Sequence, residues 1–476
     1  MGILEESTQI IRLQRAIPTR PATAPCDCSV CERCVHSLVL AASILLAKPV
    51  PVMAAVSRSM VVLAVIVCIF AWRWVMMRVN HLPPVTEGYF HPAYRPVAEL
   101  FRKFVEDGVE LGGSFSVYQH GTPLIDLWGG YADAESHRPW REDTLTMIWS
   151  STKGATALAV AKLVDKGLLD YKKEVYKYWP EFAQNGKSSI TVEMLLSHQS
   201  GMNSLGNQTI SLHDYMNNWT KVENIMATAP PDFSPGTRLC YQSFTFSMYI
   251  DALIRRVDPQ HRNLSQFFHE EIALPYGIDI FIGLPQPYFH RAARQKFPPQ
   301  WKLITWLFDT VHRPLLFALL NKDSVEYRSA HSVDIMGKFE VLNDPHNAQV
   351  GLGSAIGFGT ARALAQLYDY IASGGSVGNR ILLPADIVKE LMKSRTDSLP
   401  SRLKFTVGLM TTKNVADVDV FGHSGFGGQQ AWADPVNKLG IGYVTNHHSI
   451  KYASPSEHYL ELLKLFYDCY KQAHAS

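Results

Sequence analysis

One segment limits how this chain can fold. Residues 155–164 read Ala-Thr-Ala-Leu-Ala-Val-Ala-Lys-Leu-Val, small and aliphatic on most faces. Such a run predicts a helix that must be buried on nearly every side, so the rest of the chain has to wrap around it. Asp165-Lys166-Gly167 ends it, with glycine at the C-cap. The helix is preceded by Trp149-Ser150-Ser151-Thr152-Lys153-Gly154, which puts Ser150 at its N-terminus and Lys153 about one turn on, on the same face. A serine there is either a plain N-cap or a nucleophile. Amide N–H groups and the helix dipole favour negative charge at that point, and a desolvated amine can take a proton near neutral pH. A second Ser-x-x-Lys, Ser401 to Lys404, follows Leu399-Pro400 in a polar stretch and opens no apolar helix. It is read as a chance match.

The 476 residues suffice for one large domain or a few smaller ones. A net charge of +2, with both signs mixed along the chain, gives no nucleic-acid surface. Residues 1–85 differ from the rest. Four of the seven cysteines, Cys26, Cys28, Cys31 and Cys34, cluster there ahead of two apolar runs, the second of which holds Cys68. The cluster fits a metal knot, S-acylation or an incidental tail. The run from Leu38 to Ala47 is too short to span a bilayer. The one from Met60 to Met77, broken only by Arg73, is read as a single-pass membrane anchor, with a cleaved presequence as the rival. Asn207, Asn218 and Asn263 open glycosylation-type triplets.

From residue 86 to 476 the chain reads as one folded unit. A helix is predicted over Val97–Val109, then a hairpin of Gly113–Tyr118 and Leu124–Trp128. Further helices follow the Ser150 helix at Val192–His198, Ala252–Arg256 and Ala361–Ala372. Strands are predicted at Thr406–Met410, Val418–Phe421, Gln430–Ala433 and Gly440–Thr445, and a closing helix over Ser456–Lys471. This order predicts an α+β fold: an antiparallel sheet built from both chain ends, flanked by helices, with a mostly helical insertion. The apolar stretch 297–321 is read as buried helical core in preference to an active-site lid or a membrane-touching hairpin.

Two further motifs carry chemistry. Pro235-Gly236 introduces Tyr241-Gln242-Ser243; a phenol between ammonium groups can drop its pKa and act as a base. Gly422-His423-Ser424-Gly425-Phe426 lies between predicted strands, where it can set an imidazole beside the nucleophile and lend a backbone N–H to an oxyanion. Gly374-Gly375-Ser376-Val377-Gly378 fits the α/β-hydrolase elbow, but a helix precedes it where that elbow needs a strand, so it is read as a surface loop.

The order Ser-x-x-Lys, Tyr-x-Ser, His-Ser-Gly resembles the serine beta-lactamase and penicillin-binding-protein superfamily. It is most similar to the class C-like esterases and the eukaryotic beta-lactamase domain-containing proteins of the peptidase S12 grouping. Trp128-Gly129-Gly130-Tyr131, Tyr178-Trp179-Pro180-Glu181-Phe182 and Leu195-Leu196-Ser197-His198-Gln199-Ser200-Gly201 extend the likeness. The resemblance implies a beta-lactamase-like fold. It implies Ser150 as nucleophile, Lys153 and Tyr241 as proton carriers and His423 where the lactamases carry lysine. Ser243 and Ser424-Gly425 would line the substrate, with an oxyanion hole from the N–H groups of Ser150 and Phe426. It implies no metal or organic cofactor and a small ester, amide or short peptide substrate. Loss of the lysine favours ester or amide hydrolysis over antibiotic hydrolysis; the alternative is an inactive scaffold or a self-assembling protein.

Overall fold

A block of strands from the first part of the chain joins a block from the last part in one antiparallel sheet. The computed structural model describes residues 63–72, 85–310, 312–401, 403–449 and 455–475. The sheet has nine strands. Eight follow in the order Thr86–Phe90, Thr122–Asp133, Gly112–Gln119, Leu439–Thr445, Gln430–Asp434, Asp419–Ser424, Met410–Lys413 and Lys404–Phe405; Arg138–Pro139 pairs off the second. The join between the halves is the register Leu439↔Gln119 to Thr445↔Gly113, so the first hairpin and the last strands share one surface.

Two apolar layers cover this sheet. On one face the helices Arg95–Glu106 and Glu457–His474 bury Val97, Phe101, Leu462 and Phe466 against Phe115, Leu127 and Ile441. On the other, Ala361–Ala372 lies so close to Leu439–Thr445 that a Cβ at Gly440 or Gly442 would fall about 2 Å from a helix carbonyl oxygen (2.0 Å from Ala365 O and 2.1 Å from Ala361 O). The insertion between the halves holds the Ser150 helix, Thr152–Asp165, in the larger core with Leu195, Phe246 and Leu253. The architecture is α+β, as the pattern of elements implied.

Several boundaries move. The first helix ends at Glu106 rather than Val109, because Asp107 and Gly108 (φ +70°) turn the chain. The helix expected at Ala252–Arg256 runs over Thr245–Val257. Thr406–Leu409, expected as strand, is a turn closed by the Thr406 amide donating to Leu409 O at 2.8 Å. The strand expected to stop at Phe421 continues to Ser424, with His423 paired to Ala431.

Residues 297–321 are not buried core. They form a short 3-10 helix, Gln300–Leu307, and a helix, Arg313–Leu320, in which Trp306 is 2% exposed while Trp301 is 69%, Phe308 86% and Leu320 69% exposed. Apolar composition here does not mean coverage.

The cysteine cluster and the two ends of the 60–77 run lie outside the described residues. Residues 63–72 are helical. Among the described residues no helix is long and apolar enough to cross a membrane. Asn207 and Asn218 are exposed, whereas Asn263 caps a helix by accepting from the Gln266 amide at 2.9 Å.

Candidate active site

Ser150 sits in a tight turn and not in the helix proper. Trp149–Ser151 form one 3-10 turn that feeds into Thr152–Asp165. Trp149 has φ +47°, a left-handed conformation that costs a bulky L-residue on the order of 1–3 kcal/mol. Packing holds it there: its ring meets those of Phe426 at 4.9 Å, Phe339 at 5.3 Å and His448 at 5.7 Å. The turn is also tied to the strand end carrying His423, since Ser151 Oγ donates to His423 O at 3.0 Å. Gly425 completes the docking, because a Cβ there would lie 2.4 Å from Ile148 O.

Lys153 is fully buried, and burial holds its amine well below the usual lysine range. Its Nζ donates to Ser243 O and to Ser354 O, each at 2.9 Å, and lies 3.5 Å from Ser150 Oγ. A neutral amine has two N–H donors and one lone pair. In that form the two carbonyls would take both donors and leave the lone pair for the serine hydroxyl.

Tyr241 closes the group from the other side. The Ser150 side chain acts on its hydroxyl, favouring the ionised form against the effect of burial. Its ring lies 4.8 Å from Lys153 Nζ and 6.0 Å from the His423 ring. The expectation of a lowered phenol pKa is wrong for this state. Burial raises it, against a smaller opposing effect of the Ser150 hydroxyl. Ser243 contributes its carbonyl to Lys153, while its own amide donates to Ser329 Oγ at 3.0 Å.

His423 is 2% exposed, and burial, then the nearby Lys153, lowers its pKa to about 3. Nδ1 lies 2.6 Å from Ser424 O, while Nε2 has no protein partner. Ser424 Oγ reaches Met410 Sδ at 3.7 Å. The Gly425 amide is taken by Gln429 O at 2.8 Å. Phe426 faces the Trp149 ring. The hydroxyl, amine, phenol and imidazole of the sequence reading therefore meet in one place.

Three residues were not singled out. His198 packs at 4.7 Å against Tyr241 with the rings tilted by 49°, and receives the Gln242 amide at 3.2 Å, with φ +61°. Ser329 Oγ donates to Tyr241 O at 3.1 Å, and Ser354 supplies the second carbonyl to Lys153. His198 had a signal, the Leu195–Gly201 framework; the two serines had none in their local sequence. The look-alikes stay apart. Lys404 Nζ donates to the carbonyls of Thr396, Asp397 and Leu399, and Ser376 is exposed on a surface hairpin.

A cavity of about 710 Å³ lined by Trp128, Arg141, Glu142 and Arg362 contains none of these groups. A smaller one, about 280 Å³, has Phe426 in its wall.

The family described as Beta-lactamase matches residues 97–462. The chain belongs to the beta-lactamase family. This beta-lactamase family protein is a serine hydrolase. It is 30% identical over 371 residues to Esterase/beta-lactamase LipL of Mycobacterium tuberculosis, covering 76% of this chain and 83% of LipL. Esterase EstB of Burkholderia gladioli is 33% identical over 162 residues, 30% of this chain and 39% of EstB. A crystal structure of a family VIII carboxylesterase superposes with a TM-score of 0.70 at 32% identity, covering 81% of this chain and 100% of that one. A penicillin-binding protein homolog from Caulobacter crescentus gives 0.66 at 29% identity, covering 81% and 100%.

Proposed function

We propose that this serine hydrolase cleaves neutral carboxylic esters through an acyl-enzyme on Ser150. Oγ attacks the carbonyl carbon while its proton passes to the neutral amine of Lys153. The C–O bond to the alcohol breaks, and the proton moves through the Tyr241 hydroxyl to the departing alkoxide. Water then enters by the reverse path, releasing the acid and restoring the Ser150 proton. The amides of Ser150 and Phe426 are the donors assigned to the oxyanion.

The observation that carries this reading is the saturation of Lys153 by two carbonyls, which leaves its lone pair for Ser150 Oγ at 3.5 Å. The preference for neutral esters rests on charge. Lys153, His198 and His423 are all held toward their neutral forms by burial, so these residues offer no fixed cation to a substrate carboxylate. LipL, EstB and the family VIII carboxylesterase, all described as esterases, support the same class. Attachment to a membrane through residues 60–77 is part of the proposal and rests on that apolar run alone; co-sedimentation with membranes, lost on its deletion, tests it.

The test is hydrolysis of p-nitrophenyl acetate beside an ampicillin-type beta-lactam. Turnover of the ester with little of the lactam, abolished in Ser150→Ala, is the expected result. Equal ester rates in both proteins, or faster lactam hydrolysis, would overturn it.

A further inference from the structure

The 280 Å³ cavity falls just below the usual range for ligand pockets, about 300–1,000 Å³, and its composition differs from that of the catalytic cluster. Its walls include Phe297, Leu316, Leu319, Met336, Phe339 and Phe426. Of its polar residues, Tyr327 and His331 are stacked on each other at 3.8 Å and joined by His331 Nδ1 and Tyr327 O at 2.8 Å. Glu340 and Ser449 also line the cavity, but apolar side chains make up most of its wall.

Two connections join it to the serine. Phe426 belongs to the strand end that packs on Trp149, the residue before Ser150. Across from it, Tyr327 lies on the helix Val325–Ala330, whose Ser329 bonds both Tyr241 O and the Ser243 amide. The cavity is thus walled by the same two segments that flank the reacting group. Its roof is the 297–321 segment, where Trp306 turns inward and Trp301 and Phe308 face out.

We propose that this cavity binds the hydrocarbon chain of the ester, making the protein selective for chains longer than acetyl. The inference rests on the Ser150 reading and adds the substrate class to it. The chain can belong to the acyl group or to the alcohol, and the same apolar lining serves either. Each methylene that leaves water for the cavity raises kcat/KM about fourfold, from the transfer free energy of a buried CH2.

The experiment measures kcat/KM on two series with the full chain: p-nitrophenyl esters from acetate to octanoate, and alkyl acetates from ethyl to octyl. Leu316→Trp and, independently, Met336→Trp fill the cavity. The readout is the long-to-short ratio within each protein, which a general loss of folding or of Ser150 reactivity does not mimic. The proposal expects the ratio to climb with chain length in one series, naming acyl or alcohol as the occupant, and to fall at least about tenfold in a filled variant. A flat ratio in both series, or a rising one that neither variant lowers, overturns the cavity assignment while the Ser150 reading stands. No turnover of any ester, acetate included, defeats the Ser150 reading and this inference with it.

Discussion

Lys153→Met keeps the aliphatic stem of the buried lysine and deletes only the amine. The consequence for catalysis follows from the one contact that faces the nucleophile, Nζ to Ser150 Oγ at 3.5 Å. Removing a positioned base costs about 10²–10⁴ in rate, or about 2.7–5.5 kcal/mol of transition-state stabilisation. Stability changes in two opposing ways. The carbonyls of Ser243 and Ser354 lose their donor, at about 1–3 kcal/mol for each buried acceptor left unpaired. Against this, the folded state no longer has to hold a desolvated amine.

The pH dependence separates these effects. Burial lowers the folded-state pKa of Lys153 below its unfolded value of 10.5, so between the two the unfolded chain binds more protons and stability climbs as pH rises. Lys153→Met loses that slope. Wild-type kcat/KM should fall on acidification, as the amine takes a proton and can no longer accept one from Ser150. The assay is p-nitrophenyl acetate hydrolysis from acid to mildly alkaline pH, with melting curves of both proteins in the same buffers. Lys153→Arg, whose guanidinium stays protonated, should be as inactive as the methionine variant. A Lys153→Met protein within about fivefold of wild type, well below the loss expected for a base, would refute the assignment.

Three further outcomes follow. Gly425→Ala places a Cβ 2.4 Å from Ile148 O, pushing the His423 strand end off the Ser150 turn; we expect about 1–3 kcal/mol of destabilisation by denaturant melting and a kcat loss above about tenfold. Glu110 is fully buried, its pKa raised by burial to about 7 against hydrogen bonds from Thr445, Tyr443 and the Gly112 backbone. The folded state therefore binds the extra proton between 4.5 and about 7, and stability falls as pH rises through that window; the slope should vanish in Glu110→Gln, and parallel melting-pH curves would contradict it. Ser376→Ala should leave ester turnover intact, and a large loss would reopen the elbow reading.

How much was legible in the sequence differs by element. The buried helix was readable because Ala and Leu on every face leave it no solvent side, and Ser150 and Lys153 came with it. The strands Gly112–Gln119, Thr122–Asp133, Asp419–Ser424, Gln430–Asp434 and Leu439–Thr445 were readable to within a few residues, whereas Thr86–Phe90 was not and the strand expected over Thr406–Leu409 is a turn. The burial of 297–321 was not, because its apolar residues match a core helix locally, and only the tertiary arrangement decides that Trp306 is covered and Phe308 is not. Ser354 and Ser329 were invisible for a related reason. They act on Lys153 and Tyr241 from 201 and 88 residues away, and neither serine's local sequence carries a mark of the carbonyl or hydroxyl it will present. The direction of the Tyr241 shift also depended on context, since the burial that raises the phenol is set by the tertiary arrangement.

The most direct measurement is the covalent adduct left by a fluorophosphonate on the intact protein, located by peptide mass spectrometry. One adduct on the peptide bearing Trp149-Ser150-Ser151, assigned by fragmentation to Ser150 and missing from Ser150→Ala, is the predicted result. A label that persists in Ser150→Ala, or that falls on Ser151, Ser376 or Ser424, would contradict it.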